Sequence, residues 1–171
     1  MSIVSQLSGG DRRSIGRSNQ IAAQAAKDPK HFAQLIAALW HADPVIRMRA
    51  ADAAEKASAR RPALLPPYKK ELLGLLVEAT QPELRWHLAQ IIPRLDLSPQ
   101  ELQRAASALR TYLADRSSIV RTFAMQALAD LAEQDETLRP EIVDLVRRAC
   151  KTGSPAMRAR ARKLLRQFEN P

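Results

Sequence analysis

The chain has 171 residues, enough for one domain or one short repeat array with a continuous core; 46% are apolar, 4% aromatic and five are glycine. The apolar set is mostly Ala and Leu, the strongest helix formers, and the residues that strands favour are scarce, which excludes a sheet-built fold. A formal charge of +9 argues for an anionic partner over an inert surface, and a lone cysteine, Cys150, excludes both an intrachain disulfide and a thiolate metal cluster.

In chain order, residues 1–10 read as a flexible N-terminus. Met1 to Leu7 has neither a basic start nor a long apolar core, and no later stretch reaches the roughly 18 apolar residues of a membrane helix. The expectation is a cytoplasmic protein with no membrane partner. Gly9-Gly10 follows no strand and precedes no Lys-bearing phosphate loop, so it reads as a joint. Residues 11–27 carry Ile15, Ile21, Ala22 and Ala25 and are expected to form one unpaired helix capping the end of a stack.

From residue 28 onward one pattern occurs four times: an apolar residue, then Arg, then small or apolar residues three and six places later. It reads Ile46-Arg47 with Ala50 and Ala53, Leu84-Arg85 with Leu88 and Ile91, Val120-Arg121 with Ala124 and Ala127, and Met157-Arg158 with Ala161 and Leu164. The Arg-to-Arg intervals are 38, 36 and 37 residues, which defines a unit of about 37. Pro29, Pro67 and Pro140 each stand 18 residues before their Arg, and Pro99 stands 22 before Arg121. Proline suits the first turn of a helix, so each opens the first helix of a pair, and the third pair's first helix is expected to be a turn longer. First helices are predicted over 28–41, 66–79, 98–114 and 139–151, and second helices over 43–60, 82–95, 117–133 and 154–168. Turn signals at Asp43-Pro44, Gln81-Pro82 and Gly153-Ser154-Pro155 separate the partners.

The period, the proline in the first helix, and the segments Leu64-Leu65-Pro66-Pro67-Tyr68 and Asp115 six residues before Arg121 resemble HEAT repeats. The resemblance covers residues 28–168 and implies an all-α fold, an α/α superhelix: a short solenoid of about four helix pairs with an N-terminal capping helix, forming a single domain over 11–171. It also implies a ladder of Asp and Arg contacts between repeats. His41, Ala79 and Thr152 stand where the other units should carry the Asp, so that ladder is expected to be incomplete.

With the Arg of each second helix at angle zero and 100° per residue, the buried positions cluster one before it and three, six, seven and ten after it. Positions one, five and eight then form the opposite face, which the resemblance places on a concave groove. The candidate groove residues are Met48, Asp52, Trp86, Gln90, Thr122, Gln126, Lys163 and Arg166. Trp86 reads either as a binding hot spot or as packing against a neighbouring helix, and Pro93 should kink or end its helix. Trp40 ends an apolar stripe and reads as core, as does Cys150.

Charge gathers at the two ends: residues 1–40 hold five cations and two anions, and the last twenty residues five and one. Arg158, Arg160 and Arg162 are candidate anion contacts, or else the polar outer face of a capping helix. The repeated Arg row is expected to bond turn carbonyls or acidic neighbours. His31, His41 and His87 form no i, i+4 pair and read as surface or satisfied helix residues, so neither metal nor cofactor is expected.

The functional expectation is a non-catalytic scaffold that binds a protein or peptide through the groove, with the oligomeric state left open. The alternative is nucleic-acid binding through the basic terminal repeats. A HEAT-like architecture also resembles the alkylpurine DNA glycosylases, which use an acidic residue and aromatic side chains in a positively charged groove; Trp86 matches, with Asp52 one repeat away and no second groove tryptophan.

Overall fold

A computed structural model describes residues 2–9 and 14–169, and all of its regular structure is helical. Ten α-helices follow one another: α1 (Ile3–Leu7), α2 (Ser18–Lys27), α3 (Pro29–Ala38), α4 (Pro44–Arg60), α5 (Lys69–Glu78), α6 (Pro82–Ile91), α7 (Pro99–Tyr112), α8 (Ser118–Gln134), α9 (Arg139–Thr152) and α10 (Pro155–Glu169). The predicted pairs are α3/α4, α5/α6, α7/α8 and α9/α10. Six helices begin on or one residue before a proline, whose missing N–H falls where no intrahelical bond is lost. Side chains finish the caps: Asp28 accepts from the Lys30 amide, Asp43 from Val45, and Ser98 and Glu101 form a reciprocal capping box on α7.

Each pair packs on itself, and the second helices α2, α4, α6, α8 and α10 stack in succession. The repeated positions make the core. Ile46, Ala50 and Ala53, and their counterparts in the other three units, are all buried. The small residues let second helices approach one another while Leu, Ile and Phe from the first helices fill the layer between. Helix α7 has 14 residues against ten in α3 and α5, the extra turn expected from Pro99; α9 has 14 as well. Pro66-Pro67 delays α5, which starts at Lys69 after two 3-10 turns, and Pro93 ends α6, whose chain continues as a 3-10 turn over Ile92–Arg94.

Several readings of the sequence need correction. Residues 3–7 are not a flexible lead-in: they form α1, whose Ile3 and Leu7 are buried against α3 and α4. The capping helix starts at Ser18 and is not unpaired, since α2 packs on both α3 and α4; residues 11–13 of its predicted span lie outside the described residues. Ile15 is exposed instead of joining that helix. Trp40 is not core but 47% exposed, because α3 ends at Ala38 and the chain turns there. Cys150 is half-buried against the core's edge.

The N-terminal segment is tied to α3 by Gln34, which accepts from the Ile3 amide, and to α4 by Arg49. The Arg49 guanidinium, 3% exposed, donates to the carbonyls of Leu7, Gly9 and Ser14. Gly16 passes over it with φ +53°, and a Cβ there would lie 3.1 Å from the Arg49 Cζ, so both the left-handed backbone and the close approach require glycine.

Candidate functional site

The repeated Arg row is structural in the three units where it can be traced. Arg47, Arg85 and Arg121 each donate to the backbone carbonyl six residues earlier, those of His41, Ala79 and Asp115. The carbonyl does this work whatever the side chain, which explains why the missing Asp residues cost no turn. Contacts between units follow the same row: Arg47 donates to Gln81, 2.9 Å, and Arg85 to Asp115, 2.6 Å.

Three depressions run along the second-helix face. The first, between α4 and α6, is about 230 Å³ and is lined by Ile15, Met48, Asp52, Glu83, Trp86 and His87, with Arg49 behind them. The second spans α6, α8 and α10, about 480 Å³, with Gln90, Arg94, Phe123, Gln126, Asp130 and Arg160 on its walls. The third lies between α8 and α10, about 290 Å³, and shares Phe123 and Arg160 with the second. A separate depression of about 430 Å³ lies on the first-helix side between α5 and α7, beside the exposed Val77.

The predicted groove residues divide between these depressions and the packed interior. Trp86, Gln90 and Gln126 are half-buried on the face, and Lys163 and Arg166 are exposed. Met48, Asp52 and Thr122 are buried, contrary to their predicted outward position, because adjacent second helices cover that flank. Met48 and Asp52 still line the first depression, and Thr122 the third. Arg158 and Arg162 are exposed as expected of anion contacts; Arg160 is not, for it donates to Gln126 and lies 5.7 Å from the Phe123 ring. None of the depressions holds both Trp86 and an α10 cation.

Around Trp86 the chemistry is acidic and aromatic. Asp52 Oδ2 pairs with Lys56 at 2.7 Å, and Lys56 also donates to Asn19. Asp52 Oδ1 stands 3.9 Å from His87 Nε2, too far for a hydrogen bond. His87 is no surface residue: it is 8% exposed, and burial lowers its pKa to about 4 against the opposing pull of Asp52, Glu55 and Glu83. It is therefore neutral near pH 7, with one ring nitrogen donating and one accepting. His87 Nδ1 and Glu83 Oε2 are both buried without a hydrogen-bond partner among the described residues. The Trp86 and His87 rings are tilted at 55° with centroids 5.6 Å apart.

In the second depression Gln126 bridges Asp130 and Arg160, and burial raises the Asp130 pKa, partly offset by the Gln126 bond. Arg94 closes the opposite wall by donating to the Glu55 carbonyl, the Glu55 carboxylate and Ser58. Sequence reasoning missed Glu83, His87, Arg94, Phe123 and Asp130 as lining residues, and it gave Arg160 to anion binding instead. The signal was present in the register: Arg49, His87, Phe123 and Arg160 each stand two residues after the repeated Arg.

Fold and face together define an all-helical, repeat-like protein with a polar and aromatic surface on one layer. No protein-family profile matches the chain, and no curated protein matches it in sequence. Among solved structures, the crystal structure of an engineered protein is similar, with a TM-score of 0.60 and 16% identity over 97% of this chain and 77% of that one. At that identity the likeness bears on the fold alone. Among the described residues no three His, Cys, Asp or Glu side chains gather as a metal cluster, and no helix is long and apolar enough to cross a membrane.

Proposed function

We propose that the chain is a HEAT-like solenoid acting as a non-catalytic scaffold, which binds a protein or peptide along its second-helix face. The observation that carries this reading is the row of three depressions on that face. Their walls hold Trp86, Phe123, Gln90, Gln126 and Arg160, amphipathic and hydrogen-bonding side chains of the kind enriched where proteins bind one another. Acidic groups beside Trp86 also favour a protein ligand over a polyanion there.

The test is selection of binders from a random-peptide library on the full chain. Enriched peptides should lose at least tenfold in affinity on Gln90→Ala or Gln126→Ala and be unaffected by Val77→Ser on the first-helix side. Peptides indifferent to both face substitutions would remove the assignment. Steep loss of DNA or RNA binding with rising salt, centred on Arg158 and Arg162, would instead favour the basic-end reading.

A second reading rests on one observation: Asp52 and Trp86, one repeat apart in sequence, line the same depression, which supplies the acidic and aromatic side chains of the glycosylase resemblance but not its positively charged groove. Release of base from alkylated DNA by the chain, abolished in Asp52→Asn, would establish it; absence of product would dispose of it.

A further inference from the structure

Within the scaffold reading, on which this inference rests, the depression around Trp86 has a composition that selects its occupant. It offers two carboxylates and a π face, and the cations beside it are already engaged. Arg49 spends its guanidinium on three backbone carbonyls, and Lys56 is held between Asp52 Oδ2 and Asn19. What remains is Glu83, which forms no ion pair among the described residues, the second oxygen of Asp52, the unpartnered Nδ1 of the buried His87, and the Trp86 indole.

A buried carboxylate oxygen without a donor is costly to leave so, and a cation over an indole face gains most where water is excluded. At about 230 Å³ the space falls below the roughly 300 Å³ at which cofactor and drug-sized sites begin, and suits one side chain. An anion would meet Glu83 and Asp52, so phosphate is disfavoured here.

We propose that this depression receives the cationic side chain of an arginine or lysine from a protein partner, with Glu83 and Asp52 accepting its N–H groups and Trp86 covering its charge. Met48 and Ile15 would flank the aliphatic stem.

The experiment uses the full chain with Trp40→Phe, which leaves Trp86 as the one indole of the two in the sequence. N-acetyl-arginine amide is titrated against its neutral isostere N-acetyl-citrulline amide while Trp86 fluorescence is followed. A saturable response at least fivefold tighter for the arginine probe is expected, narrowing with added salt and falling at least fivefold in Glu83→Gln. Trp86→Leu, followed by NMR shifts of the His87 ring, should lose the same preference; this second variant keeps the test decisive if Glu83→Gln unfolds by circular dichroism. Equal affinity for both probes, or preference unchanged in the folded variants, overturns the proposal. Selected peptides that bind the face while neither probe binds would sink the cation site alone. Failure of peptide selection as well would take the scaffold reading with it.

Discussion

Replacing Arg49 by methionine keeps the aliphatic stem and deletes the charge that ties the N-terminal segment to α4. Three carbonyls lose a donor, those of Leu7, Gly9 and Ser14, and hydrogen bonds to a charged group contribute about 1.5–3 kcal/mol each. Burial of Ile3 and Leu7 adds about 1.5–3 kcal/mol apiece. Against this stands the ordering of residues 2–9 at about 1–2 kcal/mol each, so the segment is held by a surplus of a few kcal/mol at most. Losing the clasp exceeds that surplus. Arg49→Met should therefore release α1 without unfolding the stack. Hydrogen exchange reads this directly: the Gln6 and Ser8 amides, bonded to the Ser2 and Val4 carbonyls, should lose protection by roughly a hundredfold or more, about 3 kcal/mol, while the core of α8 changes little. Unchanged protection in α1, or equal loss in every helix, would refute the clasp as a local device.

Three other outcomes follow from single contacts. Tyr112 donates its hydroxyl to the buried Leu76 carbonyl at 2.5 Å, and Tyr112→Phe strands that carbonyl; a loss of about 1–3 kcal/mol in a urea melt is expected. Asp115 accepts both the Arg85 guanidinium and the Ser117 amide while nearly buried, so Asp115→Ala should cost about 2–3 kcal/mol, whereas Glu141→Ala, losing the exposed pair with Arg110, should cost under about 1 kcal/mol. His87 has its folded pKa lowered by burial from 6.5 to about 4, so the unfolded chain binds the proton first. Its contribution is intact above pH 6.5 and is lost as pH falls toward 4, by about 3 kcal/mol, and His87→Gln should flatten that part of the stability profile.

The helix pairs were legible because their signals are local and redundant. Proline starts, Asp and Ser caps and the Arg-centred apolar triplet all bear on the same boundaries, and α4, α8 and α10 fall within a residue of prediction. The face was read less well. Advancing by 100° per residue assumes one buried side, yet α4, α6 and α8 are each flanked by two second helices as well as a first helix. That extra flank buries Met48, Thr122 and Ala129, and the depressions are lined mainly by the stripe two, five and nine residues after the Arg: Arg49 and Asp52, then His87, Gln90 and Arg94, then Phe123, Gln126 and Asp130, of which Arg49, Asp52 and His87 are themselves buried at the bottom. The lining stripe is turned by roughly 70° from the expected one. Arg49 escaped notice for a different reason, since its partners lie 35 to 42 residues away in a segment with no periodicity.

The same geometry accounts for the separation of net charge from the candidate site. Among the described residues α10 has a second-helix neighbour on one side only, and there the positions buried in α4 become exposed: Ala159 and Lys163 stand where Met48 and Asp52 do. Arg158, Arg162 and Lys163 are exposed on α10, as either a polar outer face or an anion contact would have them. The carboxylates beside Trp86 are not explained as a polar outer face, because solvation gains nothing from a buried Glu83 oxygen or from a neutral His87 with an idle nitrogen. Unmet hydrogen-bonding capacity thus identifies the middle of the face more sharply than the charge total identifies the ends, and salt dependence separates the two: binding at the ends should weaken for every polyanion alike, whereas binding beside Trp86 should follow the charge of one side chain.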